Sequence, residues 1–316
     1  MKKTMIALAA VAAVGAASAQ VSITGSTTAY WMNVSSNASA GLVLGGANIL
    51  FSASEDMGGG WAASAKMNLD LDGGRDDKAY HGDRSISLAG PMGSLTMANT
   101  RSGGTAAMAL VAPTNLWNDY WGAGAAILSR SNLDALVLSV PLSKELTVMG
   151  KYLEAAPDGA APPTAASYVA TAKWASGPLV IVADAVSTTY NDAARATLTA
   201  AGVASPRTQS YGASGTYNAG FANFGLGYDS PRRGKAEGTD QGAVLASFAV
   251  PLGAATAGLN YGLRDGQSII QLAAAYSMSK RTTLNLSWGQ YSNAATAAGA
   301  AVPALVESAL SLSHSF

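Results

Sequence analysis

Short stretches in which apolar and small polar residues alternate one by one constrain this chain more than anything else in it. Leu284, Leu286 and Trp288 alternate with Thr283, Asn285, Ser287 and Gly289, and Leu310, Leu312 and Phe316 alternate with Ser311, Ser313 and Ser315. Met67, Leu69 and Leu71 likewise alternate with Lys66, Asn68 and Asp70, and Leu259, Tyr261 and Leu263 with Asn260, Gly262 and Arg264. A period of two sends successive side chains to opposite faces of a strand, so these segments must build a sheet with two unlike faces. Sixteen strands are read this way, the first at 21–32 and the last at 307–316.

The polar face is unusual. It is made of Gly, Ser, Thr, Asn and Ala, and only 12% of the chain is charged. A soluble β-sandwich hides its apolar face and shows water a heavily charged one. A transmembrane barrel inverts this, turning apolar side chains to lipid and small polar ones to a wet interior. Strands of about 9 to 11 residues fit a tilted bilayer crossing. The connections alternate as well. Asp56–Gly59, Gly90–Gly93, Pro141–Lys144, Ser176–Gly177, Ala219–Gly220, Pro251–Gly253 and Ser277–Arg281 are tight and rich in turn residues. Between them fall 33–44, 72–82, 102–129, 155–166, 190–208, 231–240 and 292–306, with one short member at 265–266. The expected fold is therefore all-β: a 16-stranded antiparallel transmembrane β-barrel with short periplasmic turns and long extracellular loops. Tyr30, Trp31, Trp61, Trp174, Tyr211, Tyr217, Tyr228, Tyr276, Trp288 and Phe316, mostly near strand ends, fit interfacial girdles, although aromatics favour strands in any case.

Residues 1–19 read as a secretory signal peptide. Lys2 and Lys3 precede an apolar run from Met5 to Val14 and the triplet Ala17-Ser18-Ala19, so the mature barrel domain is expected over 20–316. With Lys2 and Lys3 removed, 17 basic side chains face 19 acidic ones, a formal charge of −2. No basic excess exists to neutralise phosphates, which argues against a nucleic-acid partner. The chain contains no cysteine, so disulfides do not staple it.

The stretch from Arg101 to Arg130 has neither a strand nor a helix period. Loops beyond about 12 to 15 residues are uncommon in compact domains and are usually functional or disordered. This one carries Met108, Leu116, Trp117, Tyr120 and Trp121, which suits a loop folded into the mouth of the barrel. Asp119 is its only ionised interior side chain, with Arg101 and Arg130 at its roots. By parity Lys66, Lys151, Lys173 and Arg264 fall on the polar face, as do Asp70 and Asp229. Lys or Arg on the lipid face at mid-depth costs about 2 to 4 kcal/mol, so inward is the cheaper placement. Lys66, Lys151, Lys173 and Arg264 are the expected positive wall of the lumen, with Asp119 opposite. Parity gives facing and not depth, so rim positions that merely solvate the loops fit the same pattern.

Three segments carry a family resemblance. Ser54-Glu55-Asp56-Met57-Gly58-Gly59-Gly60-Trp61 resembles the second-strand turn of the general Gram-negative diffusion porins, especially the β-proteobacterial type. Gly93-Ser94-Leu95-Thr96-Met97 is similar to their fifth strand, and Ser308 to Phe316 to their closing strand. The resemblance implies an outer-membrane homotrimer whose third loop, here 102–129, folds inward and constricts a water-filled pore for ions and small hydrophilic solutes. It further implies contact with outer-membrane lipid and lipopolysaccharide, and delivery to the barrel-assembly machinery through a strand ending in Phe316. The family's loop usually bears several acids facing arginines. This one has Asp119 alone, so weak ion selectivity is expected. A barrel acting as a structural or adhesive surface protein is the alternative, with 155–166 and 190–208 as its contact loops.

Catalysis finds little support. His81 and His314 are the only histidines. His81, read in a loop near Asp76, Asp77 and Asp83, lacks metal-ligand spacing. No G-x-S-x-G elbow occurs, and the clusters Gly58–Gly60 and Gly212–Gly220 lack a phosphate-binding lysine. The expectation is a non-enzyme with no cofactor and no metal.

Overall fold

A computed structural model of the chain describes residues 20–35, 41–71, 79–103, 105–113, 130–155, 165–231, 242–264, 267–292 and 305–316. The first strands are β1 (Gln20–Val34), β2 (Gly41–Gly58), β3 (Trp61–Leu71), β4 (Ala79–Gly90) and β5 (Gly93–Gly103). After a short 3-10 helix at Thr105–Ala109 come β6 (Arg130–Pro141), β7 (Leu146–Ala155), β8 (Ala165–Ser176) and β9 (Leu179–Tyr190). Helix α1 (Asp192–Ala200) precedes β10 (Gln209–Asn218), β11 (Asn223–Asp229) and β12 (Ala243–Leu252). The chain closes with β13 (Ala255–Arg264), β14 (Gln267–Ser277), β15 (Thr282–Ser292) and β16 (Leu305–Ser315).

Each strand pairs with its sequence neighbours, and β1 pairs antiparallel with β16, closing the barrel. Closure leaves no edge with unpaired backbone groups, which a lipid environment demands. Directly opposed residues share a face, so the registers sort the side chains. Leu226 (63% exposed), Leu286 (59%), Leu272 and Leu310 point outward. Ser247, Asn260, Gln271, Ser287 and Ser311 are buried on the inner face. Exposed aromatics form two outer bands. Trp61, Trp174, Tyr217, Tyr276 and Phe316 lie toward the turn rim, and Trp31, Tyr168, Tyr211, Tyr228 and Tyr261 toward the loop rim.

The tight turn after β2 shows how the sequence writes the fold locally. Gly58, Gly59 and Gly60 have φ of 79°, 62° and 80°, a region L side chains rarely adopt. Asp56 Oδ1 accepts the Gly58 N–H at 2.9 Å and holds the bend. At the closure, Gly25 and Phe316 exchange backbone hydrogen bonds of 3.1 and 3.0 Å.

Several expectations are corrected. β1 ends at Val34 and β2 starts at Gly41, so both run into the loop read at 33–44, of which residues 36–40 lie outside the described set. β4 starts at Ala79, so the backbone of His81 belongs to a strand and not to loop 72–82. The loop 190–208 contains α1, whose N-cap Asn191 accepts the Ala194 N–H at 2.7 Å. That helix was legible from Asn-Asp before an Ala-rich run. Among the described residues no helix is long and apolar enough to cross a membrane.

Candidate pore constriction

The loop that leaves β5 crosses the barrel and fastens to the far wall. Its described part, Thr105–Pro113, packs on β10, β11 and β12, and β11 lies six places from β5 in a ring of sixteen. Backbone N–H groups do the fastening. Ala106 N donates to Asp229 Oδ1 at 2.9 Å, and Val111 N and Ala112 N donate to Ser247 Oγ at 2.8 and 3.1 Å. Leu110 packs with Ala106 and Ala109 against Ala243, Leu245, Ile269 and Tyr291. The stretch TAAMALVAP carries no charge, so shape and hydrogen bonds bind it.

The wall beneath is cut to receive the loop. A Cβ on Gly225 would fall on the Ala109 carbonyl, one on Gly227 would meet Ala106, and one on Gly258 would meet Ala112. Alternation therefore places glycine on the inner face where backbone must approach backbone. Thr105 and Ala106 are 3% and 0% exposed, as close packing requires.

Behind the loop a row of polar side chains runs from β12 to β16. Ser247 Oγ donates to Asn260 Oδ1 at 2.6 Å, Asn260 Nδ2 to Gln271 Oε1 at 3.4 Å, and Gln271 Nε2 to Tyr291 Oη at 3.2 Å. Tyr291 and the Glu307 carboxyl are hydrogen-bonded in turn. Buried polar groups need partners, and each strand here supplies one to the next.

Open space lies on the other side of the barrel. A cavity of about 710 Å³ runs along β1 to β5, bordered by Asn48, Lys66, Asn68, Asp83, Ser85 and Thr96. Between this cavity and the docked segment Thr105–Pro113, the inner face of β6 to β9 carries an apolar cluster of Ala135, Val137, Leu153, Val169 and Val186.

The residues singled out from sequence are distributed as follows. Lys66 borders the cavity along β1 to β5. Lys151 stands opposite Val137 and Val169 on the inner face, within electrostatic reach of Asp184. Lys173 stands opposite Thr147 and Val182. Arg264 is 3% exposed and Asp229 8%, and the two interact electrostatically. The backbones of Arg101 and Arg130 pair with Asn132 and Gly103 at the loop roots. Asp70 belongs to β3, and Asp119 lies outside the described residues. His314 Nδ1 hydrogen-bonds Thr282 Oγ1 at 3.0 Å near the turn rim. Among the described residues no three His, Cys, Asp or Glu side chains gather to hold a metal. Sequence reading missed Ser247, Asn260, Gln271, Tyr291 and Glu307. Their only signal is membership of the small-polar face, and only register joins them into a row.

Similarity to known proteins agrees with this geometry. The anion-selective porin from Comamonas acidovorans superposes with a TM-score of 0.69 at 17% identity, covering 95% of this chain and 100% of that one. A loop-deletion mutant of OmpT, an outer membrane protein of Vibrio cholerae, gives 0.68 at 9% identity, covering 94% and 99%. A mutant porin of Rhodopseudomonas blastica gives 0.65 at 10% identity, covering 94% and 100%. No curated protein matches this chain in sequence. The model of the Gram-negative porin family matches residues 5–296, nearly the whole length. The chain belongs to the Gram-negative porin family.

Proposed function

We propose that this outer-membrane channel is a water-filled pore for passive diffusion of ions and small hydrophilic solutes, narrowed by loop 102–129. The observation that carries this reading is the attachment of Ala106, Val111 and Ala112 to the wall opposite the loop's origin. A strap across a closed barrel limits the size of what passes, and the cavity beside β1 to β5 is the remaining route. We place the chain in a homotrimer, exported by the signal peptide 1–19. The exposed terminal Phe316, beside Gly25, is the feature read by the assembly machinery.

Selectivity is weak on this reading. Lys66 and Asp83, of opposite sign, border the same cavity, and the described part of the loop is uncharged. Lys151 and Lys173 on the inner face favour anions modestly, as in the Comamonas relative described as anion-selective. Planar-bilayer recording tests all of this. The expected result is stable ohmic steps in multiples of three, with a reversal potential far from the ideal value for either sign. A silent membrane sinks the channel reading, and near-ideal selectivity sinks the charge placement.

A further inference from the structure

We infer that Glu307 is a positioning residue for the pore constriction, acting on the strap's anchor through a one-way row of hydrogen bonds, an inference that rests on the narrowing of the channel proposed above. Glu307 on β16 stands opposite Gly289 on β15, Gly289 opposite Gln271 on β14, Gln271 opposite Asn260 on β13, and Asn260 opposite Ser247 on β12. Neighbouring strands lie about 4.8 Å apart, so the acid and the serine are separated by about 19 Å along the wall. Gly289 has no side chain to continue the row. The hydroxyl of Tyr291, two residues along the same strand, bridges Gln271 to the Glu307 carboxyl instead. Glu307, Tyr291, Gln271 and Asn260 are all buried, so the row is shielded from solvent.

Every donor in the row points toward β16. Ser247 O–H donates to Asn260 Oδ1, the Asn260 amide to Gln271 Oε1 and the Gln271 amide to Tyr291 Oη, which leaves the tyrosine proton for the carboxyl. A carboxylate accepts and cannot donate, whereas serine, tyrosine and the two amides can turn either way. Glu307 is therefore the member that fixes the sense of the row.

That sense matters at the strap. Ser247 Oγ accepts the Val111 and Ala112 N–H groups at 2.8 and 3.1 Å, which occupies both its lone pairs and sends its own proton to Asn260. With the row reversed, the Asn260 amide would aim a donor at Ser247 Oγ and compete with the strap for it. Ser247 also stands opposite Gly225, the glycine under the Ala109 carbonyl, so the row ends at the seat. Hydrogen bonds in a buried chain polarise one another, which carries the effect of the acid across four strands.

The chain has no cysteine and Met108 is 56% exposed on the strap, so Met108→Cys carries a nitroxide spin label whose spectrum in proteoliposomes reads the strap's motion. Glu307→Gln keeps the side chain's shape, removes the charge and lets the group donate. It is expected to add a narrow, mobile component to a broad spectrum. Tyr291→Phe cuts the row in the middle and is expected to give the same spectrum. The double variant is expected to match either single one, because a row already cut has no sense left to lose, whereas side chains that only pack add their effects. Gel migration that shifts on heating verifies that each barrel is folded. Unchanged spectra in both single variants overturn the inference, and so does a double variant whose mobile fraction is the sum of the two. Silent bilayers from the unlabelled wild type break the channel reading instead and leave these spectra as they are, so the two failures read apart.

Discussion

The inner walls of β10–β12 and β1–β5 obey the same alternation and do opposite things. On β10–β12 the inward residues are small or consumed. Gly212, Gly225 and Gly227 leave room, and Asp229 and Ser247 give their oxygens to the loop backbone. On β1–β5 the inward side chains Asn48, Lys66, Asn68 and Thr96 border a cavity. One wall is a seat for protein and the other borders open space. The difference lies in side-chain size and hydrogen-bond capacity, because the backbone pattern of both walls is the same.

The sharpest way to break this contrast is to fill the seat. Gly225→Val drives a branched side chain into the Ala109 carbonyl, and fixed backbone cannot yield as a flexible side chain would. Overpacking costs about 1–3 kcal/mol or more, so the strap is expected to leave the wall, with a large change in single-channel conductance and much greater current noise. Gly150→Ala, where a Cβ meets nothing within 4 Å, is the matched control and leaves conductance unchanged.

Asp229→Ala comes next. It removes the acceptor of Ala106 N and leaves Arg264 buried without its acid. Stranding a buried charge costs about 3–5 kcal/mol, part of which water entering the lumen recovers, and thermal unfolding in detergent is expected to fall by several degrees. Ser247→Ala strands the Val111 and Ala112 N–H groups and interrupts the row to Asn260, at about 1–3 kcal/mol. Current noise should rise while mean conductance changes little. A quiet channel in either variant would show that apolar packing around Leu110 holds the strap without these oxygens.

The smallest effect belongs to the open wall. Lys66→Gln removes one charge from a wet passage where screening acts over about 8 Å, so the anion-to-cation permeability ratio is expected to fall about twofold or less. A reversal of selectivity by this one change would make Lys66 the dominant charge and remove the reason for calling the pore weakly selective.

Much of this was legible beforehand. Leu284-Asn285-Leu286-Ser287-Trp288 reports a strand with one lipid face and one wet face, and the Glu-Asp-Met-Gly-Gly-Gly turn reports its own backbone, because both depend on neighbours along the chain. Strand number, closure and the position of the long loop after β5 follow from counting such units. The limits appeared at strand ends, as with His81 in β4, where pairing extends past the last alternating residue.

What the tertiary structure alone decided is which inward residues meet across strands. Arg264 reads from its strand as a lumen charge, and only the tertiary structure shows it buried and within electrostatic reach of Asp229. Ser247, Asn260, Gln271 and Tyr291 lie 13, 11 and 20 residues apart and look like ordinary polar-face positions until register sets them side by side. Local alternation is a property of consecutive residues and is written in the chain. The seat of the strap is a property of distant segments whose adjacency exists only once the barrel has closed.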